Sequence, residues 1–125
     1  MRIRSRFPLV RQYDQLDCGP AALLSVLRFY RGDTTLVHAR QLCRTDIQGT
    51  TMLDMVRAAR AMGFKAQGAR GSFEQLAKEK LPCIAHVILP DGMSHFLVIY
   101  KIEGERLLAG DPGKGRCKLE RREFE

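Results

Sequence analysis

The sequence predicts an α+β fold, a helical N-terminal half packed with an antiparallel β-sheet C-terminal half, and three observations carry that prediction. Apolar residues follow helical spacing, or fill whole helical turns, up to Gly63. Beyond Pro82 the pattern changes to short β-branched and apolar runs. Those runs are separated by Gly- and Asp-containing segments of the kind that reverse a strand. A length of 125 residues is enough for one hydrophobic core, so a single domain over 1–125 is expected.

The first helix is read at 18–30, from Cys18-Gly19-Pro20 through a stretch apolar nearly all round to Tyr30, with Pro20 suited to the first turn and Arg31-Gly32-Asp33 as the stop. A second helix is expected from Thr34 or Thr35 to about Cys43. A third opens near Thr50-Thr51, carries Met52, Leu53, Val56, Ala59 and Met62, and stops at Gly63. A short strand is predicted at 65–69, then a fourth helix opened by the capping box Ser72-Phe73-Glu74-Gln75 and closed before Leu81-Pro82. Strands follow at 83–89, 95–102 and 106–109, with a further one at 117–120. Residues 121–125 resemble the start of another helix, which suggests one domain taken from a longer protein.

No apolar run approaches the ~20 residues needed to cross a bilayer. The arginines of 1–11 are not followed by the apolar core of a signal peptide, so a cytoplasmic location is expected. The four cysteines are widely spaced, without a C-x-x-C pair or a histidine at zinc-finger spacing, which argues against zinc and against any cofactor. A disulfide framework is not expected in a domain of this size and location. A net charge of +7 would suit a nucleic acid, an anionic membrane or an acidic peptide. The basic residues are scattered and tryptophan is absent, so stacking platforms for nucleic acid are lacking.

A cysteine in the first turn of a helix sits beside unsatisfied N–H groups and the positive end of the helix dipole, both of which favour thiolate. Cys18 is so placed, followed by Gly19, which has no side chain to hinder an approaching carbonyl. A small buried thiol is the commoner fate on position alone. A base within reach is what makes such a cysteine a nucleophile. Of three histidines, His95 follows the turn 91–94 and opens a strand, so it lies at a sheet end facing a cleft. His86 is mid-strand and reads as half-buried, and His38 lies on a surface helix. Asp111, just after a strand and before Pro112, either orients the imidazole or simply forms a turn. Gln12 and Gln15 both precede Cys18 and either could supply an oxyanion amide, while Asp17 could cap the helix.

The stretch Gln12-Tyr13-Asp14-Gln15-Leu16-Asp17-Cys18-Gly19-Pro20-Ala21-Ala22-Leu23, followed by His95-Phe96-Leu97-Val98-Ile99-Tyr100-Lys101 and then Asp111-Pro112, resembles the bacteriocin-processing, double-glycine leader peptidase domains at the N-termini of ABC exporters. The resemblance spans nearly the whole chain, and the three motifs are specific together although each alone is weak. It implies a papain-like fold, action on the cytoplasmic side of the bacterial membrane, and cleavage after Gly-Gly or Gly-Ala at a leader's end. The implied partners are the precursor peptide and the transmembrane and ATP-binding domains of an exporter, in the same polypeptide. By position Cys18 matches the nucleophile, His95 the base, Asp111 the orienting acid and Gln12 the oxyanion-hole amide. Ala22 stands where some relatives carry a second cysteine.

The leader is expected to dock as an amphipathic helix in an apolar groove drawing on Met52, Met55 and Val56, with Arg57 and Arg60 meeting its carboxylates. A non-catalytic leader-binding module would share this fold but have no use for a reactive thiol. A different papain-like activity, such as a stand-alone peptidase or a transglutaminase-type enzyme, would keep the thiol without cutting double-glycine peptides.

Overall fold

A computed structural model describes residues 7–12, 17–45, 49–68, 72–88, 90, 92 and 94–124. Helix α1 (Cys18–Phe29) is buried along nearly its whole length, as its run of Ala, Leu and Val requires. It ends with Arg31, not Gly32, in the left-handed region at φ 67°. Gly32 is needed for a different reason, because a Cβ there would stand 2.5 Å from Leu27 Cδ1. Helices α2 (Leu36–Leu42) and α3 (Met52–Ala61) are each opened by a threonine: Thr35 accepts the His38 N–H, and Thr51 accepts the Asp54 N–H. The predicted capping box is present at α4 (Phe73–Leu76), with Ser72 and Gln75 bonded in both directions.

Four strands, β1 (Cys83–Ile88), β2 (Ser94–Glu103), β3 (Arg106–Asp111) and β4 (Gly115–Glu120), form an antiparallel sheet in sequence order. A short helix, α5 (Arg121–Phe124), follows; Arg121 lies 4.6 Å over the Phe73 ring and pairs with Glu74. The pleat splits the core in two. Phe96, Val98 and Tyr100 of β2 meet Cys18, Ala22, Leu23 and Val26 of α1, with Met55 and Ala58 of α3 behind them. Ile99, Leu107 and Ala109 face the other way, against Phe73.

The strand expected at 65–69 is absent over the described residues 65–68. That segment instead closes against α3: Arg60 Nε donates to the Ala66 carbonyl at 2.9 Å, and Gly68 lies against Met52 and Val56. Residues 7–12 form a strap unforeseen in the sequence. Along it, Arg116 Nε donates to the Phe7 carbonyl at 2.6 Å, the Val10 N–H donates to Ser25 Oγ at 2.8 Å, and the Gln12 N–H donates to the Pro112 carbonyl at 2.9 Å. Among the described residues no helix is long and apolar enough to cross a membrane.

Candidate active site

The sequence places Cys18, His95 and Asp111 far apart, and the fold brings them together from the start of α1, the start of β2 and the end of β3. The packing of α1 on β2 sets the first two face to face, and the β2–β3 pairing sets the third beside the second. All three are buried, at 7, 8 and 8 % exposure. His95 Nε2 lies 2.7 Å from Asp111 Oδ1. The same carboxylate oxygen accepts the Gly113 N–H at 2.8 Å, and the Lys114 N–H donates to the Asp111 carbonyl at 3.0 Å. Asp111 therefore forms a turn and stands beside an imidazole at once, so the two readings of Asp-Pro are compatible.

Cys18 lies within hydrogen-bond reach of the His95 ring, and with Nε2 given to Asp111 the nitrogen left for the sulfur is Nδ1. The interaction with Cys18 is the largest influence holding the imidazole's pKa up at about 9; the bond to Asp111 and both negative charges add to it, against burial, which lowers it. Near neutral pH the ring is an imidazolium beside sulfur. The other thiols lie in different surroundings. Burial pushes Cys43 up to about 12 and Cys83 up to about 11, and burial also raises Cys117.

Gln12 is held at the acid's end of the site by its backbone bond to Pro112, and its amide sits against Gly113. Its Oε1 is buried with no hydrogen-bond partner among the described residues. Gln15 lies outside those residues. Asp17 occupies the N-cap position of α1, but its side chain makes no capping bond, contrary to the capping role the sequence allowed. Its carboxylate turns instead toward α2, where Arg40 Nε stands 2.9 Å from Oδ1. The Arg40 approach is an ion pair without an aligned N–H, and neither Asp17 oxygen has a hydrogen-bond partner among the described residues.

Gly19 does not clear a path for substrate as expected. A Cβ there would meet Thr50 Cβ and Met55 Sδ at 3.1 Å, so the glycine admits the start of α3 against α1. His38 bonds Thr34 Oγ1 through Nδ1 at 2.8 Å. His86 is exposed rather than half-buried, because β1 is an edge strand, and it stacks on Phe96 at 4.8 Å between ring centroids. Of the three residues expected in a docking groove, Met55 is in the core, its sulfur 3.9 Å from Cys43 Sγ, because its face of α3 packs on α1. Met52 and Val56 are partly buried, and Leu53 beside them is 57 % exposed. Arg60 is engaged with Ala66, while Arg57 is exposed.

The sequence profile of the Peptidase C39 family matches residues 6–125. The chain is 38 % identical over 103 residues to the pediocin PA-1 transport/processing ATP-binding protein PedD of Pediococcus acidilactici, a match covering 81 % of this chain and 14 % of that protein. It thus spans only about a seventh of that relative's length. The fold superposes on the crystal structure of the peptidase domain of Streptococcus ComA, a bi-functional ABC transporter involved in quorum sensing, with a TM-score of 0.88 at 32 % identity over 94 % of this chain and 89 % of that one. It also superposes on a double glycine motif protease from an AMS/PCAT transporter, solved with its leader peptide, with a TM-score of 0.84 at 35 % identity over 94 % and 81 % of the two chains.

Proposed function

Because the chain belongs to the Peptidase C39 family of cysteine peptidases, we propose that it removes double-glycine-type leader peptides from bacteriocin or related peptide precursors, coupled to their export by an ABC transporter. The observation that carries this reading is His95, 2.7 Å from Asp111 and within reach of Cys18. A thiolate beside an imidazolium ion can attack a carbonyl without a further base.

In the mechanism proposed, the Cys18 sulfur adds to the carbonyl carbon of the second leader glycine. The developing oxyanion is met by the Cys18 N–H and the Gln12 amide. Asp17, the N-cap residue of α1, makes no side-chain capping bond, so its carboxylate does not compete for the first N–H groups of that helix. His95 gives its proton to the departing amine, and the C–N bond breaks to leave a thioester. Water, deprotonated by His95, then adds to the thioester and expels the thiolate. Asp111 keeps the ring turned with Nδ1 toward sulfur throughout. The confined approach to Cys18 suits glycine, since a larger side chain beside the cleaved bond would collide with the walls.

The leader's apolar face is proposed to lie along Met52, Leu53 and Val56 of α3, whose larger apolar side chains are partly or largely exposed. Residues 1–125 are proposed to be one peptidase domain, the N-terminal part of an exporter whose transmembrane and ATP-binding domains share the polypeptide. The likeness to a transport/processing ATP-binding protein over a seventh of its length supports that arrangement. In it the domain acts on the cytoplasmic side of the membrane, where a precursor meets the exporter.

The test is a synthetic precursor bearing a helical leader ending in Gly-Gly, incubated with wild type and with Cys18→Ala and read by mass spectrometry. Cleavage after the second glycine by the wild type alone is expected. Binding without cleavage by both would make the domain a docking module. Absence of binding by both would remove the substrate assignment.

A further inference from the structure

A carboxylate buried to 1 % exposure lies one residue from the reacting sulfur, at the end of the helix that presents it. Both of its oxygens lack hydrogen-bond partners among the described residues, and Arg40 is the cation placed against it, at 2.9 Å. A bare buried carboxylate there would oppose formation of a second negative charge on Cys18, since like charges at short range disfavour each other in a poorly solvated site. We propose that Arg40 is a positioning residue for the nucleophile: by neutralising Asp17 it lets the Cys18 thiolate form, and it ties the Cys18 end of α1 to α2. This rests on the reading of Cys18 as nucleophile.

Among the described residues, the other groups around Cys18 come from the neighbouring elements. From β2 comes His95 and from β3 Asp111, whose charge is taken up by that imidazole. From α3 comes the uncharged Met55, while Asp54 acts on Cys43. Arg40 is the cation supplied from α2, and its side chain is 43 % exposed, so it joins the buried carboxylate to solvent.

The experiment measures the rate at which iodoacetamide alkylates Cys18 at pH 6, followed on the Cys18 peptide by mass spectrometry. It is run on wild type, Arg40→Gln, Arg40→Lys, Asp17→Asn and the double variant Asp17→Asn/Arg40→Gln. Loss of the cation alone is expected to slow alkylation about 10-fold, as an uncompensated buried charge on the neighbouring residue would do. Arg40→Lys and the double variant are expected to return to within about 3-fold of wild type, because each leaves the carboxylate site compensated or uncharged. A rate for Arg40→Gln within about 2-fold of wild type, or a double variant no faster than Arg40→Gln, would overturn the proposal. The second result would make Arg40 a packing residue only.

Should Arg40→Gln not fold, the comparison of Asp17→Asn with the double variant decides: equal rates support charge compensation, and a slower double variant sinks it. If Cys18 in the wild type is no more reactive than Cys83, the nucleophile assignment itself fails, which is a separate result from a reactive Cys18 indifferent to Arg40.

Discussion

A single imidazole stands between the thiol and the carboxylate of this site, and in the proposed mechanism its protonation governs when the site can work. His95 holds its proton up to about pH 9, so kcat/KM for leader cleavage is expected to fall as pH rises through that value, when the acid needed by the leaving amine is lost. A profile flat to pH 10 would contradict this. Asp111→Asn removes the charge and the acceptor that fix the ring, and is expected to lower kcat/KM by about two orders of magnitude or more while leaving leader affinity unchanged. Cys18, His95 and Asp111 were legible because each sits where an element begins or ends, and such positions are marked in sequence by Gly, Pro and Asp. Arg40 was not. Its partner is 23 positions earlier, and only the packing of α2 on α1 decides that the two meet.

At the scale of elements, the junction of α1 with α3 is set by a glycine with no room to grow. Gly19→Ala is expected to cost about 1–3 kcal/mol, read as a lowered urea midpoint, since Thr50 and Met55 must move to admit the methyl group. Thr51→Ala removes the cap of α3 and should cost about 1 kcal/mol without changing the chemistry at Cys18. On the opposite side of α3, Leu53→Asp together with Val56→Asp is expected to raise KM for a leader-bearing precursor with little change in kcat, and an unchanged KM would move the docking face elsewhere. The starts of α2, α3 and α4 were readable to within a residue because a threonine or serine oxygen has to meet an orphan N–H. The segment 65–68 was misread because its alternation looks like a strand, yet the Ala66 carbonyl is taken by a side chain of α3 rather than by a neighbouring strand.

For the whole molecule, the order of helices and strands was visible in the change of hydrophobic period. The strap at 7–12 was not, since its hold comes from bonds to residues about 15 and about 100 positions away. Stability should follow the same imidazole. His95 has its pKa raised on folding, so the native state binds the extra proton. Its contribution is complete below about pH 6.5, the ordinary histidine value, and is lost as pH climbs through about 9. The melting temperature is therefore expected to decline over that interval more steeply in wild type than in His95→Asn.

The helical half carries sulfur, while the sheet half carries the imidazole and the carboxylate. If the polypeptide were severed between Gly68 and Ser72, each fragment would hold chemically incomplete equipment, and hydrolysis would appear only when the two met again. Fused to two other proteins, such fragments would report the encounter of their carriers by releasing a leader, with the burial of β2 against α1 supplying the affinity that the linkers must not exceed.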